Sequence, residues 1–405
     1  MKRVGIIGAG AAGYFTAIQL LELGFEGEIK LYEKSKPLAK VKVSGGGRCN
    51  VTHACFDPKE LTQFYPRGKK ELLGPFHHFQ PGDMIGWLAE KGVELKVEDD
   101  GRMFPTTDSS QTIIDCFESQ LPQHTLVFNG VKKMVQSNGQ WELHLDNGEV
   151  HIHDAVVVTA GSSPQFADML TQLGVAMVDA VPSLFTFHIE DEELRALSGL
   201  AIEAEVSIKD AEWTTDGPLL LTHWGVSGPA VLKMSAWAAR WLAERKYHAE
   251  VMINSMPRYH RESLMELLQG IRLNAARKQV RNVGPSSIPN RWWQFVIRNN
   301  EANEKMWADV RNTELEEMAQ ALLQMTLPIT GKSTFKEEFV TAGGVDLKQV
   351  NFKTMESKTH PRMFFAGEVL NIDALTGGFN FQAAWTTAYL AAKGIVESES
   401  VSIAP

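Results

Sequence analysis

Three groups of residues in this 405-residue chain have types and spacings that suit chemistry. The first is Gly8-Ala9-Gly10-Ala11-Ala12-Gly13, followed by Glu33 twenty residues after Gly13. Gly8 allows a tight turn, Gly10 lets backbone approach a pyrophosphate, and Gly13 permits close packing of a helix on a strand. N–H groups at the helix start then face phosphate, where the helix dipole favours negative charge. A carboxylate at Glu33 accepts hydrogen bonds from ribose hydroxyls, and Lys34 follows it. The second group is Ser44-Gly45-Gly46-Gly47-Arg48-Cys49-Asn50. Arg48 suits a substrate oxyanion or carboxylate, or else a phosphate or structural contact. Cys49 and Cys55 lie near each other, as in disulfide reductases that hold a thiolate beside flavin. Their five-residue separation departs from that pattern, and Cys49 also reads as a small buried thiol. The third group is Thr222-His223-Trp224-Gly225, where His223 is a candidate acid near neutral pH or a structural group. No metal site is expected. His77 and His78 point apart, and His151 and His153 share a strand face without a third ligand.

These residues need elements to position them. Arg3 to Ile7 reads as a buried strand, Ala12 to Leu23 as a helix stopped by Gly24, and Glu28 to Tyr32 as a second strand. That is one mononucleotide-binding βαβ unit. Ser44 to Asn50 reads as a glycine-rich loop. An antiparallel meander is expected over Thr125–Phe128, Val131–Ser137, Trp141–Leu145 and Val150–His153, with turns at Asn138-Gly139 and Asn147-Gly148. Ala155 to Thr159 is an apolar strand ending in Ala160-Gly161. From about Pro182 the texture changes to β structure, with a helix over Ala230–Glu244 and mostly helix over Pro257–Gln324. Strand and glycine texture returns at Thr341. The expected fold is α/β: a split Rossmann-like dinucleotide-binding domain, residues 1–182 and 336–405. Residues 183–335 form an insert, β-rich over 183–255 and helical over 256–335.

Composition bounds the rest. Hydrophobic residues make up 44% and charged residues 22%, as in a soluble globular protein. No apolar run is long enough to span a bilayer, so a cytoplasmic location is expected. Three cysteines do not make a disulfide framework. The net charge of -9 argues against a generally nucleic-acid-like surface. Met256–Arg311, however, holds ten Lys/Arg against five Asp/Glu. Blocks of that kind usually form solvated faces.

The glycine fingerprint alone does not separate FAD from NAD. FAD is favoured because the fingerprint opens the chain, while Gly367-Glu368 and Thr376-Gly377-Gly378 follow far away, before a helix from Phe381. A second helix start can place N–H groups against a flavin ring. Candidate cofactor contacts therefore also include Val131, Thr159, Ala160, Gly161, Asn371, Gly377, Gly378 and Phe379. No second complete fingerprint is present, so NAD(P)H is expected as a transient electron donor without its own domain.

At these clusters the sequence resembles the BaiN/YhiN-like bacterial NAD(P)/FAD-dependent flavoproteins, also called aminoacetone-oxidase-family enzymes. The marks are Gly8 to Gly13, Ser44 to Thr52, Gly101 to Pro105, Thr222 to Pro229, Thr341 to Val345, and Phe365 to Leu370 continuing to Asn380. The resemblance implies a split FAD-binding domain with an inserted β-barrel-like part and a helical part, a flavin lying along Ser44–Asn50, a cofactor contact from Lys40, and Glu368, Asn380 and Gln382 at the ribityl and ring ends. Three positions depart from the family: Leu38-Ala39-Lys40 for Gly-Arg-Lys, His53 for Asn, and Asn371 for Asp. The expected activity is hydride transfer through FAD to an activated double bond or an amine of a small molecule. Three alternatives stand beside it. One reduces uridine to dihydrouridine in ribosomal RNA, with the basic insert holding structured RNA and Trp292/Trp293 stacking on bases. Another is a disulfide reductase using Cys49/Cys55, and the last is a non-enzymatic flavin-binding regulator.

Overall fold

A computed structural model describes residues 2–333 and 340–401. The chain forms two compact units: the described residues of Met1–Val181 with Val340–Pro405, and those of Pro182–Phe339. The expected second breakpoint, 335/336, lies outside the described residues.

The first unit is built on a seven-stranded sheet among the described residues. Strand β1 (Arg3–Ile7), helix α1 (Ala11–Glu22) and strand β2 (Glu28–Tyr32) form the predicted βαβ unit. Five strands run parallel, in the order Leu126–Val127, β2, β1, Ala155–Val158, Met363–Phe365. Their near-continuous apolar character fits a sheet covered on both faces. The chain passes from β1 to β2 on one side, and the strand Ala155–Val158 joins β1 on the other. That makes the end of β1 a topological switch point, where the crevice outside the carboxyl ends of the strands takes ligands.

The meander has three strands, Val131–Ser137, Gln140–Leu145 and Val150–His153. Leu126–Val127 was expected in it but pairs in parallel with β2 instead. A run of that length carries no periodicity to tell one sheet from the other. Asn138 and Gly139 make the first turn with φ of 51° and 76°, as a two-residue hairpin requires. The expected glycine loop follows a short helix that starts at Ala39: Ser44 is extended, and Gly45, Gly46 and Gly47 have φ of 58°, 68° and 85°.

Among the described residues of the second unit, seven strands run antiparallel in the order Met325–Ile329, Ala249–Asn254, Ala201–Ile208, Thr214–Thr222, Gly225–Ser227, Thr186–His188, Gly331–Ser333. Its two edge strands are consecutive in the chain, separated by Thr330 alone. The sheet must curl until its edges meet, which gives the barrel-like form. Those two strands also correct the expected helical span of 256–335. Helices Arg261–Asn274, Asn290–Val296 and Asn312–Leu323 carry a second core containing Trp292, Trp293 and Trp307. The single helix expected over Ala230–Glu244 is two, broken at Ala238.

Candidate functional site

Four carboxyl ends of adjacent parallel strands meet at the switch point, and each delivers predicted residues. The chain leaves β1 through Gly8, whose φ of 107° suits glycine and whose added Cβ would lie 2.6 Å from the Thr159 carbonyl oxygen. An added Cβ on Gly13 would lie 1.9 Å from the Gly8 carbonyl, so helix and loop approach as closely as the fingerprint implies. At Gly10 an added Cβ meets nothing within 4 Å, which leaves open space where backbone faces a ligand. Gly10 caps α1 without a side chain, and the helix begins at Ala11 and Ala12. Its first-turn N–H groups form an anion site.

Glu33 follows β2 and reaches back to this loop. Its Oε2 accepts the Ala9 N–H at 2.9 Å, and its Oε1 accepts Ser35 N–H and Oγ–H at 2.9 and 2.8 Å. A carboxylate has about four acceptor positions, so capacity for ribose hydroxyls remains. Lys34 points its ammonium to Gln165. Thr159 spends its hydroxyl on the Ile7 and Gly8 carbonyls, fastening two strand ends. Beyond it, past Ala160, an added Cβ on Gly161 would lie 3.8 Å from Glu368 Oε2.

Gly367 packs on α1 so closely that its Cβ would meet that of Ala12 at 2.7 Å. Glu368 then projects beside Gly161 and pairs through Oε2 with Lys40. Its Oε1 is buried without a hydrogen-bond partner. A buried carboxylate oxygen asks for a donor, and a sugar-like hydroxyl supplies one. An anion site on α1, a ribose acceptor at Glu33, open space at Gly10 and this orphaned oxygen together fit FAD. Gly8 to Gly13 would take its pyrophosphate, while Lys40 and Glu368 would hold its ribityl chain. When bound, FAD supplies hydride transfer.

The two distant glycine segments also come together. Oriented as its neighbours dictate, the Asn50 amide donates to Thr52 O and Met103 O and accepts the Gly378 N–H at 2.9 Å. His53 Nδ1–H donates to the Gly377 carbonyl at 3.0 Å, and its ring lies 4.4 Å from that of Phe379. Burial lowers the His53 pKa. An added Cβ at Gly46 or Gly47 meets nothing within 4 Å, so this face of the segment is open.

Several expected contacts have other work. Gln382 is fully buried, bonded to Thr52 and Thr386, so its side chain does not line a ring. Asn380 uses both ends of its amide on Ala374, holding the loop that carries Gly377. Val131 and Phe379 place their side chains in the core. Asn371 donates its backbone N–H to Val345 O. Arg48 donates to Glu98 at 2.6 Å, lies 3.7 Å from Asp108, and covers the Phe104 ring at 4.0 Å. Its charge is already met. Cys49 is fully buried, and burial pushes its thiol up to about 12, the opposite of what thiolate chemistry needs. Cys55 is a separate free thiol, its pKa also raised by burial. His223 is exposed in the second unit, at the turn before Gly225–Ser227. Trp292 and Trp293 are fully buried, with Trp293 stacked on Trp307, so neither can stack on a base. Among the described residues, no cluster of three His, Cys, Asp or Glu is placed to hold a metal, and no helix is long and apolar enough to cross a membrane.

Sequence reasoning missed the clamp on the 371–378 loop. Arg67 grips Asp373 with two parallel hydrogen bonds, and Asp373 is fully buried. Tyr65 O–H donates to the Phe379 carbonyl at 2.6 Å. An Asp just ahead of Thr376-Gly377-Gly378 was the visible signal, but its partner lies 306 residues away.

A family model described as the HI0933-like protein Rossmann domain matches residues 2–394. A ribosomal RNA dihydrouridine synthase of Haemophilus influenzae is 26% identical, covering 96% of this chain and 97% of its own length. An Escherichia coli protein of the same name is 26% identical over 98% of both. A 3-dehydro-bile acid delta(4,6)-reductase of Clostridium scindens is 23% identical over 98% of this chain and all of its own. Among solved structures, a flavocytochrome c3 fumarate reductase in its open conformation superposes with a TM-score of 0.50 at 15% identity, covering 98% of this chain and 78% of its own. A quinol-fumarate reductase also gives 0.50, at 14% identity, covering all of this chain and 73% of its own. These two share the fold.

Proposed function

We propose the following activity for this chain, which belongs to the HI0933-like family of FAD-binding oxidoreductases: it reduces a carbon–carbon double bond conjugated to a carbonyl, with uridine in ribosomal RNA as substrate and NAD(P)H as electron donor. The observation that carries the reading is end-to-end similarity to reductases with two differently named products. Dihydrouridine arises when the double bond of uridine conjugated to its C4 carbonyl gains two hydrogens. A delta(4,6)-reductase, by its name, acts on conjugated double bonds. One chemistry therefore underlies both names, and RNA is favoured because two relatives carry it over nearly their full lengths.

The residues of this chain supply the frame. Lys40, Glu368 and the first turn of α1 would hold the cofactor. The Arg67–Asp373 pair and the His53–Gly377 bond fix the loop at the start of the helix Phe379–Val401. Backbone N–H groups at that helix start would lie on the side of negative charge on a bound flavin ring.

The test is anaerobic. The FAD-loaded protein is mixed with NADH or NADPH, then with an unmodified ribosomal RNA transcript or a small conjugated enone. The expected result is bleaching by a nicotinamide cofactor, recovery of flavin colour with RNA, and a uridine two hydrogens heavier by mass spectrometry. Recovery with the enone alone would reject RNA in favour of a small molecule. Failure of both NADH and NADPH to bleach would reject the donor.

A further inference from the structure

The positive surplus in Met256–Arg311 resolves into paired and unpaired cations. Arg261 faces Glu316, Arg281 faces Glu304, and Arg298 is held by Asp191 and Glu193. Lys305 and Arg311 share Glu314. Arg272 ends on the Val310 carbonyl and Asn312, and the exposed Arg291 on the Ala196 carbonyl. Arg277 and Lys278 are exposed and have no carboxylate partner among the described residues. Arg258 is also exposed, but it precedes the 14-residue helix Arg261–Asn274, so about 20 Å of helix separates it from them.

Arg277 and Lys278 stand where that helix ends and the chain turns along Lys305–Ala308. Trp307 N–H donates to Lys278 O, Val280 N–H to Lys305 O and Ala308 N–H to Ala276 O, each at 3.0 Å. This ladder sets Met306 opposite Gln279, the residue after Lys278. Met306 is 42% exposed, and Leu273, in the last helical turn, is 78% exposed. Cations after a helix C-terminus interact favourably with the helix dipole. That accounts for Arg277 and Lys278 but not for two large apolar side chains left in water on the last turn of the helix and on the paired segment. The exposed Asp309 is the nearby carboxylate, one negative charge against two free cations and Arg272.

We propose that Leu273, Arg277, Lys278 and Met306 form a docking surface for RNA. The proposal rests on the reading of ribosomal RNA as substrate. The chain carries a net charge of -9, so a polyanion is repelled by most of it and must approach where cations are unpaired. Cations there neutralise phosphates, and the aliphatic side chains cover the face of an unstacked base or sugar. Leu273 and Met306 thus fill the part first expected of the two buried indoles.

The test uses the FAD-loaded full chain and a ribosomal RNA transcript, with affinity measured across a salt series. Arg277→Glu with Lys278→Glu should bind at least tenfold more weakly at low salt. Its slope of log affinity against log salt should be shallower by about 1.5, as expected for two lost phosphate contacts. Leu273→Ser should lose severalfold affinity with the slope unchanged. The calorimetric transition of the unit that carries these residues serves as the folding control. If the wild type binds and the charge-reversed protein binds equally well with the same slope, the surface is wrong and the substrate reading stands. If the wild type binds no RNA at low salt, the substrate reading falls and takes the surface with it.

Discussion

At Gly10 an added methyl meets nothing within 4 Å, whereas at Gly13 it lies 1.9 Å from a carbonyl oxygen. The two glycines of one motif therefore answer to different demands, ligand approach and internal packing. Gly10→Ala should leave the melting temperature of the flavin-free protein unchanged and weaken FAD at least tenfold, about 1.4 kcal/mol. Gly13→Ala should destabilise the flavin-free protein itself, by about 1–3 kcal/mol of overpacking. Thermal melts without flavin and FAD titrations separate the two, and equal FAD affinity for Gly10→Ala would contradict the assigned approach. The motif was legible because only glycine meets either demand, and composition records glycine directly. Arg48 and Cys49 were equally visible, but each left a chemical and a structural reading open, and the structure bears out the structural one. Whether an arginine is free or a thiol is buried depends on Glu98, Phe104 and the core around them, which no local pattern encodes.

The meander is joined to the parallel sheet by a chain of hydrogen bonds. His153 Nε2 and His151 Nδ1 lie 2.7 and 2.8 Å from the Tyr32 oxygen, and His151 Nε2 lies 3.3 Å from Glu149. One proton order satisfies all three: His153 donates to Tyr32, Tyr32 to His151, and His151 to Glu149. It leaves His153 Nδ1 as a buried lone pair without a partner. Burial first, then the positive charge of His151 and Arg3, pushes His153 down to about 4, against the opposing pull of Glu28 and Asp154. An unfolded histidine titrates near 6.5, so this pairing is fully stabilising above that pH. Between 6.5 and 4 the unfolded chain takes up a proton that the folded chain resists. Stability should fall by about 3 kcal/mol across that window. Urea midpoints from pH 7 to 4 should show a flatter acid limb for His153→Gln than for wild type; parallel limbs would exclude His153 as the cause. The sequence placed His151 and His153 on one strand face, and Tyr32 at the end of β2. That the three meet follows from the packing of two sheets, which strand periodicity leaves open.

Across the molecule, the residues that fit FAD belong to one unit and the second unit has a core of its own. Leu268 is fully buried in that second core. Leu268→Ala should destabilise its unit by about 2–5 kcal/mol and leave FAD affinity unchanged. Calorimetry with and without FAD checks this, because ligand raises the transition of the unit that binds it. A parallel loss of FAD affinity would overturn the assignment of the site to one unit. By itself the sequence determined the βαβ unit, the hairpin turns and the family. The first two rest on short-range demands, a helix start without side chains, apolar runs of strand length and the positive φ of Asn138 and Gly139, and the family on motifs such as Ser44–Thr52 and Phe365–Asn380. Tertiary structure decided what those elements do together. It brought Glu368 to Lys40 across 328 residues and Asp373 to Arg67 across 306. It turned Trp292 and Trp293 inward and left Leu273, Arg277 and Lys278 outside. Burial and charge pairing are properties of neighbours in space, and a helix as short as Asn290–Val296 has too few turns for periodicity to say which side is covered.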